Sequence, residues 1–204
     1  MTSRDVRAQS IEATGSRALG MGGAFVAVAN DSSATWWNPA GLAAGPFLDV
    51  SIGRTSQTAD GRLPAARTGL WSFALGTPPF GLSYYHFRVT QVRAVAPTAP
   101  DRADREDLRG GVALRSLSVS QFGATILQTL LSGVHVGSTV KYVRGTPRGT
   151  RVSGEQAFDS GIPDLLDQGD DLSGGDANGS VDLDLGAIVV AGELRAGAVG
   201  RNGR

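Results

Sequence analysis

GSRALGMGGAFVAVANDSSATWWNPAGLA, residues 15–43, is the stretch on which the reading of this chain turns. It joins a glycine cluster, a short apolar run, a polar break and the tripeptide Asn38-Pro39-Ala40. Gly20, Gly22 and Gly23 permit positive φ and close backbone approach, which a compact plug packed against a wall of strands requires. Asp31 or Ser32 can cap a short helix over residues 33–37. Pro39 steers Asn38 out of the helical region. Asn38 can then cap a second turn with Pro39 at its first position, where the missing N–H costs nothing. A rigid turn of this kind forms whether or not its residues touch a ligand. Trp36 and Trp37 are read first as packing residues, and together with Phe25 as candidates for lining a ligand site. No Lys-Ser or Lys-Thr follows the glycines, so the cluster does not read as a phosphate-binding loop.

Downstream, the chain alternates with period two. In residues 47–55, Leu48, Val50 and Ile52 share one face while Asp49, Ser51 and Gly53 share the other, the pattern of a half-buried strand. A polar connection over 56–67 leads to a strand pair, 70–76 and 80–89, split by Thr77-Pro78-Pro79. The apolar face changes phase between Tyr84 and Tyr85, which predicts a bulge. A long mixed-charge connection (91–111) precedes a strand over 113–131 with a second phase slip. Ser132-Gly133 then turns the chain into 134–144. Residues 145–179 read as a long acidic insertion, a solvated outer loop. Strands 181–190 and 194–201 follow, joined at Gly192-Glu193. The short turns predict antiparallel hairpins. Lys141 faces away from Val140 and Tyr142, and Asp184 away from Leu183 and Leu185. The two are therefore expected as an ion pair on one inward face of adjacent strands.

Composition narrows the function. The 204 residues suffice for one sizeable domain or two small ones. A formal net charge of zero gives no electrostatic footprint for nucleic acid. Glycine, at 29 of 204, is roughly twice its usual share of about 7% and lacks any Gly-X-Y period. Cysteine is absent. No apolar run approaches the roughly 20 residues of a membrane helix, but barrel strands need only about 10 residues of alternating polarity. No signal peptide is visible at the start. His86 and His135 fall on different predicted strands with no carboxylate at ligand spacing, and no nucleophile motif occurs. An enzyme, a metal site and a cofactor are not expected. Asp176-Ala177-Asn178-Gly179-Ser180 faintly resembles a calcium loop but lacks its glycine and its terminal glutamate.

Gly20 with Gly22-Gly23-Ala24, the small-residue run 27–29, Asn30-Asp31 and Asn38-Pro39-Ala40-Gly41-Leu42 together resemble the N-terminal segment of the FadL-type outer-membrane transport proteins, a family that includes the PorV-like proteins. The resemblance implies an all-β, antiparallel up-and-down transmembrane β-barrel, incomplete at about seven strands, with a short helical N-terminal hatch. It implies a flexible N-terminus (1–14), a hatch (15–45) and a partial barrel (46–204), with Gly20, Gly22, Gly23, Asn38, Pro39 and Ala40 at the hatch or gate. Loop lengths alternate as in transmembrane barrels, so strand one is expected to run outward from a periplasmic hatch. Members of the family continue to about fourteen strands, so the chain reads as a fragment. The implied function is passive uptake of a hydrophobic small molecule, such as a fatty acid or hydrocarbon, across the outer membrane of a Gram-negative-type bacterium, with ligand and outer-membrane lipid as partners. Two alternatives stand beside it: a PorV-like barrel that docks a secretion-system partner, and a soluble β-sandwich binding module.

Overall fold

The structure, a computed structural model, describes residues 15–95 and 110–201. Seven strands form one antiparallel sheet in chain order: β1 (Asp49–Ala59), β2 (Ala65–Thr77), β3 (Phe80–Val95), β4 (Gly111–Leu131), β5 (Val134–Ser153), β6 (Asn178–Ala191) and β7 (Leu194–Arg201). The sheet curls into a half-barrel. Two short helices, α1 (Ser16–Gly20) and α2 (Ala34–Trp37), and a 3₁₀ turn (Pro39–Ala44) precede it. Two more, α3 (Gly154–Asp159) and α4 (Ile162–Asp170), lie between β5 and β6. The expected flexible N-terminus, residues 1–14, and most of the 91–111 connection lie outside the described residues.

The pairing register runs unbroken between β2 and β3 and between β3 and β4. Strict alternation therefore assigns every side chain to a face. Asp49, Ala74, Tyr85, Gln121, Thr139, Asp184 and Gly197 share the face that carries residues 15–45. That segment touches β1 through Ser32 and β7 through the backbone of Ala27. A flat sheet of seven strands spaced about 4.8 Å apart would be too wide for so few residues to reach both edges. The sheet therefore wraps around the segment, and the segment lies on the concave face.

Four sequence expectations are corrected. The 56–67 connection shrinks to 60–64, because β1 runs to Ala59 and β2 starts at Ala65. The first strand is not half-buried on its apolar side: Val50 and Ile52 are exposed, while Asp49 and Ser51 face residues 15–45. There is no bulge between Tyr84 and Tyr85; Tyr85 points into the concave face and Tyr84 outward, so both faces carry an aromatic without any register change. The expected phase slip within 113–131 does have a counterpart, a register shift between Thr129 and Leu131 at the end of β4.

The acidic stretch 145–179 is the fourth correction: it is folded rather than a solvated loop. β5 continues through it to Ser153, whose side chain caps α3 by accepting from the Gln156 N–H. Pro163 and Asp164 suit the first turn of α4. Leu165 and Leu166 of α4 are buried with Ala65, Val92, Val112 and Leu114. Val92 is seven positions from Tyr85 in an unbroken strand, so this cluster lies on the convex face, opposite residues 15–45. Gly169 sits so close to Thr90 that a Cβ there would meet its Cγ2 at 2.5 Å.

Candidate functional site

Residues 15–45 form a compact body built by local chemistry. Asp31 Oδ1 accepts from the Ser33 N–H and hydroxyl, preparing α2. Asn38 is extended (φ −161°, ψ 107°) before Pro39, and its Oδ1 accepts from the Ala40 N–H at 3.1 Å to cap the 3₁₀ turn. Gly22 and Gly23 take positive φ, 61° and 84°, in the turn after α1. Gly20 lies within α1 in open space, and Ala40 is fully buried. Phe25 is fully buried edge-to-face against Trp37, with the Arg17 guanidinium over its ring. Trp36 instead packs on the wall aromatics Tyr85 and Phe87 at 4.9 and 5.4 Å between ring centroids. Of the three candidate ligand-lining residues, Trp36 packs on the aromatic residues of the wall, while Phe25 and Trp37 sit in the buried cluster with Leu127 and Ile188.

The body is fastened to both edges of the sheet. Asp49 accepts from the Ser32 N–H at 2.6 Å, and the Ser32 hydroxyl bonds Ser51. Thr35 and Tyr85 join their hydroxyls at 3.2 Å. Asn38 is fully buried, and its amide shares its protons among the carbonyls of Val26, Ala187 and Ala198. Arg195 and Arg201 of β7 donate to the Ala29 and Trp36 carbonyls. A buried donor left without a partner costs about 1–3 kcal/mol, so these bonds act together to fix the position of the segment.

The wall is shaped to receive it. A Cβ on Gly186 would lie 2.1 Å from Asn38 Oδ1, one on Gly137 2.5 Å from the Pro39 carbonyl carbon, and one on Gly197 2.7 Å from Ala27 Cα. Gly76 and Gly81 give way likewise to Leu42. The glycine excess thus serves the strands as well as residues 15–45. The sequence reading missed these wall glycines, because their partners are not local: Leu42 lies more than 30 residues from Gly76 and Gly81, and the partners of Gly137, Gly186 and Gly197 lie more than 90 residues away. Lys141 and Asp184 meet at 2.8 Å on the concave face, diagonally across β5 and β6, with Asp184 almost fully buried.

The convex face is the opposite in character. Val50, Ile52, Trp71, Phe122, Ile126, Val140, Tyr142, Val181, Leu183 and Leu185 are exposed and all point outward. Trp71, Tyr84, Phe122 and Tyr142 form an aromatic row across β2 to β5, with Trp71 and Tyr84 in edge-to-face contact at 5.6 Å. On the hairpin side of the row most outward residues are apolar, with Gln128 and Ser138 as polar exceptions. Beyond it they turn polar: Arg54 on β1, Arg67 on β2, Arg88 on β3, Ser116 and Ser118 on β4, Arg144 on β5.

Among the described residues no group of three or more His, Asp or Glu could hold a metal ion. No described helix is long and apolar enough to cross a membrane, which leaves strands untouched. His86 bonds Ser120 on the convex face, and His135 bonds Thr129 near a hairpin turn. No protein-family model, curated protein or solved structure matches the chain.

Proposed function

We propose that the chain forms part of an outer-membrane β-barrel of the FadL type, passing hydrophobic small molecules across the membrane, with residues 15–45 as its hatch. The observation that carries the reading is the inversion of polarity: the uncovered part of the convex face is apolar and bordered by aromatics, while the concave face, largely polar or small apart from the apolar residues that meet residues 15–45, is filled by that segment. A water-soluble sheet buries its apolar face; a lipid-facing barrel exposes an apolar band flanked by aromatic girdles. The run from Phe122 to Leu131 on β4 and from Val181 to Val190 on β6 matches the roughly 9–11 residues a tilted strand needs to cross a bilayer. The short turns all lie on one side and the longer connections on the other, as outer-membrane barrels arrange them. Apolar cargo in such a lumen binds by area buried, about 25 cal/mol per Å².

Cells expressing the protein should take up labelled long-chain fatty acid saturably, and cells lacking it should not. Equal uptake in the two would contradict transport. One observation favours the docking alternative: α3 and α4 make a folded, packed body of the longest described connection, the kind of rigid platform that a partner protein could grip. Membrane insertion with no uptake would select that reading.

A further inference from the structure

Above the aromatic row, the convex faces of β1, β2 and β3 build a grid around one glycine. Gly69 sits at its centre, opposite Ser56 on one side and Arg88 on the other. One step toward the apolar band stand Arg54, Trp71 and His86; one step away stand Thr58, Arg67 and Thr90. A Cβ on Gly69 would meet nothing within 4 Å, so the centre of the grid is an open floor. Arg54, Ser56, Arg67, Trp71, His86, Arg88 and Asp170 line a cavity of about 250 Å³ over it.

The charges in this cavity are not balanced. Arg67 is held by Asp167 and Asp170, at 2.5 and 2.9 Å, and Asp170 also accepts from Thr90. Hydrogen bonds to Asp167 and then Asp170 raise the Arg67 pKa above its usual value, so its charge is fixed and its carboxylates are engaged. Arg54 and Arg88 are exposed and have no ion pair among the described residues. They project from opposite sides toward the same floor. His86 is occupied by Ser118 and Ser120 and offers the cavity an edge rather than a free donor pair. Two unpaired guanidiniums flanking an open floor match the tetrahedral oxygens of a phosphomonoester, to which arginine bonds bidentately.

Position selects the source of that phosphate. Trp71 is both the rim of the cavity and a member of the aromatic row, and aromatic girdles lie at headgroup level. We propose that this cavity binds the phosphate of an anionic outer-leaflet glycolipid headgroup, whose acyl chains lie along the apolar band below. The inference rests on the membrane-barrel reading.

The test titrates the full chain in zwitterionic detergent micelles with bisphosphorylated lipid A, with its dephosphorylated counterpart and with inorganic phosphate, binding being read by native mass spectrometry. Phosphorylated lipid should bind about tenfold or more tighter than the dephosphorylated form, the effect expected of charge-assisted hydrogen bonds. The double variant Arg54→Gln, Arg88→Gln and the floor-filling Gly69→Leu should each abolish that preference. Equal affinity for the two lipids, or an unchanged preference in both variants, overturns the proposal. Full displacement by inorganic phosphate at matched concentration assigns the cavity to a soluble anion and overturns it too. Flotation with phosphatidylcholine vesicles separates the two failures. A chain that does not float contradicts the membrane reading and this inference with it; a chain that floats without lipid preference contradicts this inference alone.

Discussion

At Asn38 a single carboxamide serves the hatch and the wall together. Its oxygen caps the 3₁₀ turn, and its nitrogen reaches carbonyls of the hatch, β6 and β7. Asn38→Ala should lower stability by about 2–3 kcal/mol, because several buried groups lose their partner at once. Denaturant unfolding in detergent micelles, followed by tryptophan fluorescence, measures it; a loss under about 0.5 kcal/mol, the range of an ordinary surface change, would contradict the role. The wall glycines give a paired prediction. Gly186→Ala forces Asn38 or Pro39 to move and should make residues 15–45 sensitive to protease, whereas Gly200→Ala, with nothing within 4 Å, should leave them protected. Sensitivity in both variants, or in neither, would refute the close approach. The cap at Asn38 was legible in the sequence because Pro39 imposes it through neighbouring atoms. Its partners on β6 and β7 were not, since nothing local marks a contact 149 or 160 residues away.

Strand positions were legible from alternation, and their lengths were not. β1 and β5 extend past the last clean apolar residue because beyond the aromatic row their faces turn polar and the period-two signal fades, and β3 extends to Val95 under the apolar cover that α4 gives Val92. The misread bulge in β3 has a related cause. Phe80, Leu82 and Tyr84 present apolar side chains on the convex face, while Tyr85 and Phe87 present them to residues 15–45 on the concave face. A change of apolar face looks like a change of phase. α4 was hidden among acidic residues, with only Leu165 and Leu166 to give it a buried face. Leu166→Ala should cost about 2–5 kcal/mol locally and speed amide hydrogen exchange across 154–170, leaving exchange in β4 to β7 near the hairpin turns unchanged; uniform exchange along the chain would show that α4 is not docked. The Lys141–Asp184 pair makes a second prediction at this scale. Lys141→Met leaves a buried carboxylate unpaired and should destabilise by about 3–5 kcal/mol, while adding Asp184→Leu should recover most of the loss. Similar stability in the single and double variants would contradict the pairing.

For the whole molecule, the antiparallel hairpin order was readable from three short turns, and the structure has it from β1 to β7. The face that each strand exposes was not readable, because alternation alone is the same for a sandwich and for a barrel turned inside out. The account stands or falls on that choice. The chain has no cysteine, so single cysteines can be placed along residues 134–142 of β5, spin-labelled, and reconstituted in phospholipid vesicles. Collision of each label with oxygen, which concentrates in lipid, is then compared with collision with a water-soluble nickel chelate. The account predicts a period-two oscillation, with oxygen favoured at Val134, Val136, Ser138, Val140 and Tyr142 and disfavoured at His135, Gly137, Thr139 and Lys141, which face the concave side. Nickel favoured at Val140 and Tyr142, or a profile without alternation, would contradict it.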